Sequence, residues 1–184
     1  MIFIYEKTII TPMKDTEYFD SKELTGWNRL VAFNHQTKLF QSLSQAPMYS
    51  SWDASGICNG HKVIIELKQR QAILLPDMKL SAKTFVDDNV MVEDYKVALM
   101  LLTADNEGFI PLYFNLLDDG SIIVHNLHRL SSWKKFTNLN IESKGYQSNQ
   151  LRTNRIGLFV KDAVIYNKNG KLIQGKNTKN NDNQ

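Results

Sequence analysis

The segment Val63-Ile-Ile-Glu-Leu-Lys-Gln-Arg70 is an apolar run interrupted by a carboxylate and an amine two positions apart. Side chains alternate along a strand, so Glu66 and Lys68 share one face while Ile65 and Leu67 share the other. Burying both charges is costly unless each is paired or holds a metal ion. Asp53 lies upstream, directly after Trp52. An acid, then a strand carrying acid-x-Lys, is the minimal kit for metal-dependent cleavage of a phosphodiester.

That chemistry requires charge stabilisation on a trigonal-bipyramidal phosphate and a hydroxide-like nucleophile. Mg²⁺ (or Mn²⁺) supplies both when one or two carboxylates hold it and water and substrate oxygens complete its shell. Asp53 and Glu66 are the candidate carboxylates, with the backbone carbonyl of Leu67 a third ligand. Lys68 would orient the attacking water, help deprotonate it, or neutralise developing charge. The competing reading is an edge strand whose Glu66 and Lys68 face water and pair with each other. Acid-x-Lys also occurs at Asp20-x-Lys22, Asp77-x-Lys79, Asp94-x-Lys96 and Glu142-x-Lys144. Those four fall in expected caps, loops or a helix, so context distinguishes the triplet at Glu66.

The elements that must position these groups follow from periodicity. Residues 20–43 carry Leu24, Trp27, Leu30, Val31, Leu39, Phe40 and Leu43 at helical spacing, with Asp20 and Glu23 placed like a capping pair. Ser51–Ser55 and Lys62–Arg70 read as two strands joined by Gly56-Ile-Cys-Asn-Gly60, so that Asp53 and Glu66 meet across a hairpin. Thr84-Phe-Val suggests a short strand. Residues 92–104 read as a helix with Val92, Tyr95, Leu99 and Leu102 on one stripe, widened by Val97, Met100 and Leu101. Ile110–Leu117 and Ser121–Leu127 flank Asp118-Asp-Gly120, a hairpin turn signal. A polar loop is expected over 138–154. Ile156–Val160 and Ala163–Tyr166, with the turn at Asn167–Gly170, form another hairpin. The fold class is therefore α+β, a mixed sheet with helices packed on it.

The totals bound the alternatives. A chain of 184 residues with 42% hydrophobic and 22% charged residues suits one folded domain, expected over 1–173, followed by a polar tail at 174–184. A net charge of +3 permits nucleic acid without arguing for it. Cys58 is the single cysteine, which excludes an intramolecular disulfide and a thiolate zinc cluster and suits a reducing interior. It reads as a turn residue rather than a nucleophile. No stretch approaches the roughly 20 apolar residues of a membrane helix. The apolar start reads as a strand rather than a signal peptide, so a cytoplasmic protein of a bacterium, or of a phage made in one, is expected.

The order of helix, strand with Asp53, strand with Glu66-Leu67-Lys68, helix, and strand at 110–117 resembles the PD-(D/E)XK nuclease superfamily over residues 20–127. The stretch Gly108-Phe-Ile-Pro-Leu-Tyr-Phe-Asn, followed by Asp118-Asp-Gly120 and Val124-His-Asn-Leu, is similar to small, uncharacterised branches of it. The resemblance implies a restriction-endonuclease-like fold, an αβββαβ core flanked by helices with an extra C-terminal hairpin here. It also implies Mg²⁺-dependent cleavage of DNA. Trp52 stands where the name-giving proline would. Glu23 is the positional candidate for the acid that the opening helix often contributes.

Further groups suit a phosphate backbone. Arg70 returns to the Glu66 face and could clamp a phosphate bidentately. His61 sits in the turn before that strand, and His35 on the opening helix reads as a surface residue. Lys134 and Lys135 after Trp133, and Arg152 and Arg155 around Thr153-Asn154, interleave bases with aromatics and amides. His125 and His128 have ligand spacing only on a helix, and their segment reads as a strand end. Three function classes follow: a Mg²⁺-dependent nuclease, a catalytically inactive module of the same fold that binds nucleic acid or protein, and an interaction domain unrelated to nucleic acid. The small size leaves little room for a specificity domain, which favours a homodimer or a protein partner.

Overall fold

The structure, a computed structural model, describes residues 15–47, 50–75, 77, 79, 89–130, 132–141 and 151–175, with side chains at 15–23, 136–141 and 151–153 excluded. The expected strand at 84–86, the first strand and most of the polar tail lie outside the described residues.

Helix α1 spans Asp15–Thr37 and is followed by strand β1, Phe40–Gln45. The single helix expected over 20–43 is thus two elements, and Asp20 lies inside the helix rather than capping it. The helix stops because Asn34 turns its side chain to Phe40. It accepts from the Phe40 N–H at 2.8 Å and donates to the Phe40 carbonyl at 3.2 Å. Lys38 takes a left-handed φ of 54° at the break. Leu39, Phe40 and Leu43 continue the helical spacing, which is why periodicity runs through the boundary.

Strands β2 (Ala54–Cys58) and β3 (His61–Arg70) form an antiparallel hairpin closed by Asn59-Gly60. Gly56 belongs to β2 rather than to the turn. A Cβ there would stand 2.3 Å from the Ser42 carbonyl oxygen of β1, so only glycine lets the two strands approach this closely. Strand β4 (Asn89–Glu93) precedes helix α2 (Asp94–Glu107), so Val92 is a strand residue. Strands β5 (Ile110–Leu117) and β6 (Ile122–Asn126) are the expected hairpin. Strands β7 (Trp133–Ile141) and β8 (Leu151–Phe159) occupy part of the stretch expected as loop. The expected pairing of Ile156–Val160 with Ala163–Tyr166 does not form, because the first segment lies mostly in β8, which belongs to a separate three-stranded sheet. Instead β9 (Val164–Tyr166) pairs with β10 (Leu172–Gln174) as the C-terminal hairpin.

Seven strands make one sheet in the order β1-β2-β3-β5-β6-β9-β10, with β3 and β5 parallel and the other pairs antiparallel. Residues of odd number on β3, Val63 and Ile65, join Leu30 and Phe33 of α1 and Phe114 of β5 in one core. Ile64 on the other face joins Val97, Met100 and Ala104 of α2 in the second core. That core is closed by a three-stranded sheet, β4-β8-β7, which contributes Val90, Val92, Ile156 and Leu158. The stripe expected for α2 is rotated: Tyr95, Leu99 and Leu102 are exposed, and Val97, Met100 and Ala104 are buried. The architecture is α+β, with the order α-β-β-β-α-β of a restriction-endonuclease-like core and β4 inserted before α2. Among the described residues, no helix is long and apolar enough to cross a membrane.

Candidate active site

β3 is an interior strand between β2 and β5, so the reading of a solvated edge strand does not hold. Glu66 is 2% exposed. Strand parity puts it on the face packed against α2 and the small sheet, and Lys68 follows on the same face. The same parity sends Gln69 to the α1 side, where its amide lies close to Gly26.

Asp53 stands one residue before β2, but its backbone extends the ladder. Its N–H donates to the Ile65 carbonyl at 2.9 Å, and its carbonyl accepts from the Ala46 N–H at 2.9 Å. Its side-chain Oδ2 accepts from the Leu67 N–H at 2.6 Å. These contacts flank Glu66 in sequence and bring the two carboxylates into electrostatic range.

Two further charged groups complete the cluster. Lys96, in the first turn of α2, donates through Nζ to Glu66 Oε1. Glu93, the last residue of β4, pairs with Arg155 of β8 at 3.2 Å and interacts with Lys68. Periodicity did not single out either residue. The available signal was Val90-Met-Val-Glu93, a second apolar run ending in an acid, as the β3 run does at Glu66.

Burial, and then the neighbouring Asp53 charge, push the Glu66 carboxyl up to about 7, while Lys96 and Lys68 pull it back. Burial lowers the Lys68 ammonium, opposed chiefly by Glu93. Burial would raise the Glu93 carboxyl, but Lys68 and Arg155 outweigh it and hold the group below its ordinary value. Burial would likewise lower Lys96, yet Glu66, Asp53 and Glu93 together keep it above the usual lysine range.

The donor set suits a hard cation. Glu66 Oε2 is buried with no hydrogen-bond partner, although such oxygens normally have one. Among the described residues, no three His, Cys, Asp or Glu side chains gather as a metal cluster. Asp53, Glu66 and a backbone carbonyl such as that of Leu67 would therefore hold an ion that keeps several waters, as Mg²⁺ does.

The other sequence candidates distribute unevenly. Arg70 keeps the Glu66 face, but its guanidinium donates to Asn115 Oδ1 at 3.1 Å and to the Met91 carbonyl at 2.6 Å, tying β4 to the large sheet. Arg155 is held by Glu93 at the rim of the cluster. Lys134 and Lys135 are exposed on β7, opposite Gly157 and Ile156 of β8. His61 is exposed at the far end of β3, on the opposite parity to Glu66 and about 16 Å away along an extended strand. His35 is exposed on α1. The side chains of Glu23 and Arg152 lie outside the described residues. His125 and His128 do not converge: His125 Nε2 contacts the Phe159 carbonyl at 3.0 Å, and His128 meets Asp105 at 3.1 Å. The Cys58 thiol is half-buried, and burial raises its pKa, the reverse of what a nucleophile needs.

No protein-family model matches the chain, and no curated protein matches it. Among solved structures it is similar to Hjc of Archaeoglobus fulgidus, a Holliday junction resolvase from an archaeal hyperthermophile. The two share 10% identity over 77% of this chain and 95% of that chain, with a TM-score of 0.37. At those values the functional reading stands on the chain's own residues.

Proposed function

We propose that the chain is a PD-(D/E)XK-type nuclease, a divalent-metal-dependent phosphodiesterase acting on DNA. The observation that carries this reading is Glu66, a buried carboxylate with one unpartnered oxygen, beside Asp53 and flanked by Lys68. A structural ion pair needs no second acid at close range, and Glu66 has Asp53 beside it.

Asp53 and Glu66 would hold Mg²⁺ or Mn²⁺, with the Leu67 carbonyl as a further oxygen ligand. Bound there, the ion supplies charge neutralisation and acidifies a coordinated water. Lys68 lies on the same face, its ammonium destabilised by burial. It orients the attacking water and places a positive charge against the phosphate as its oxygens gain charge. Water adds to phosphorus, the bridging P–O bond breaks, and the leaving oxygen takes a proton. Lys134 and Lys135, exposed on the adjoining small sheet, supply backbone-phosphate contacts that fix position without reading sequence. A homodimer or a protein partner would extend that contact surface. The single cysteine suits a reducing compartment such as a bacterial cytoplasm.

A second reading has its own support. The Lys96 contact already gives Glu66 a cation, as expected of an inactive module that retains the fold and binds nucleic acid or a protein. One experiment separates the two. Labelled linear, circular and single-stranded DNA are incubated with Mg²⁺, Mn²⁺ or EDTA, using wild type, Asp53→Asn and Lys68→Met. Metal-dependent cutting that both variants lose supports the nuclease. Binding without cutting supports the module, and neither cutting nor binding sinks both.

A further inference from the structure

Lys96 approaches the carboxylates from α2, a different element from the strand pair that carries the proposed chemistry. Its Nζ bonds Glu66 Oε1, and it also interacts with Asp53 and Glu93. Its side chain is 29% exposed, against 2% for Glu66, so Lys96 borders solvent while Glu66 does not. A lysine ammonium is a hydrated point charge on a flexible stem and is well suited to leaving. α2 itself is anchored through Val97, Met100 and Ala104, so only the side chain need move.

The composition of the cluster favours its leaving. Three acids, Asp53, Glu66 and Glu93, face three basic groups, Lys68, Lys96 and Arg155. Arg70 at the edge tips the balance further positive. A divalent ion entering this neutral-to-positive cluster meets two carboxylates already compensated. Shedding one cation to solvent reduces the excess positive charge, and Lys96 bonds an oxygen the ion would take. Arg155 is 14% exposed and fixed by its cross-strand partner Glu93. Lys68 belongs to the strand itself.

Building on the metal-site reading above, we propose that Lys96 is a built-in competitor of the divalent ion, so that metal binding displaces it from Glu66. Lys96 thereby sets the metal affinity low and frees an ammonium at the mouth of the site only when the ion is bound. It acts through Glu66 and is a positioning residue.

The test is Mn²⁺ affinity by calorimetry on the full chain, without DNA. Lys96→Met and Lys96→Gln bind Mn²⁺ at least about tenfold more tightly than wild type. Asp53→Asn and Glu66→Gln abolish binding. Circular dichroism checks the fold of each. Should the Lys96 variants not fold, ¹⁵N NMR of wild type reads the same event: Mg²⁺ shifts the Lys96 ammonium signal to that of a free lysine. Asp53-dependent binding that is no tighter in the Lys96 variants overturns the competition and leaves the nuclease reading intact. So does a Lys96 ammonium unmoved by saturating Mg²⁺. Absence of any Asp53-dependent binding, in wild type and variants alike, overturns both.

Discussion

Asp53 and Leu67 are joined by a hydrogen bond from the Leu67 N–H to Asp53 Oδ2 at 2.6 Å. The acid expected to hold a metal is therefore also a structural partner of the strand that carries Glu66. The two roles separate by substitution. Asparagine keeps an oxygen for the Leu67 N–H and loses the charge, whereas alanine loses both.

Asp53→Asn should retain stability close to wild type and lose DNA cutting by on the order of a thousandfold. Asp53→Ala should lose the same activity and in addition about 1–3 kcal/mol of stability, because a partly buried N–H is left unpaired. Urea denaturation and single-turnover cleavage measure the two effects. Equal activity in Asp53→Asn and wild type would confine Asp53 to its structural bond.

Lys68→Met should reduce cutting about 10²–10⁴-fold, the range for a positioned acid–base group. Stability should hold or rise. Burial already disfavours the Lys68 charge, and Glu93 keeps Arg155 as a partner at 3.2 Å. A Lys68→Met protein that cuts normally but melts early would make the residue a purely structural counter-ion.

His125 is fully buried, and burial pushes its imidazole down to about 4 despite the contact with the Phe159 carbonyl. An unfolded chain takes up this proton near pH 6.5, the folded one only near pH 4. Between those values the unfolded state binds more protons, so stability is full above pH 6.5 and falls as pH drops toward 4. Wild type should lose about 3 kcal/mol more than His125→Gln between pH 7 and pH 4 in urea melts. Parallel curves for the two proteins would remove His125 from the acid response.

Gly56→Ala should destabilise the fold by about 1–3 kcal/mol, because its Cβ would meet backbone rather than a movable side chain. β1 must then separate from β2. Amide exchange should quicken at Leu43 and Ser44, which pair with Gly56 and Ser55, well before it quickens at β5. Unchanged exchange on β1 would show that the two strands do not approach as described.

Period-two alternation in the run at 63–70 placed Glu66 and Lys68 on one face. β3 keeps that parity because strand geometry is local. Asp118-Asp-Gly120 and Asn167–Gly170 marked their hairpins for the same reason: turn chemistry is written in a few adjacent residues. Helical spacing, by contrast, ran through Lys38 into β1, since the stop comes from Asn34 reaching across the break to Phe40. In α2, apolar residues lie on more than one side, so spacing alone could not say which stripe is buried. The small sheet, which pairs β4 with β8 across a long stretch of chain, chose Val97, Met100 and Ala104.

The sequence by itself determined the alternation of β3, the acid upstream of it and the hairpin turns, because each depends on the torsions of neighbouring residues. Tertiary structure alone decided that β3 is interior, that Glu66 is sealed from water, and that Lys96 and Glu93 join it. Those outcomes depend on which surfaces pack together across long separations, and burial and charge pairing are properties of that packing rather than of any segment.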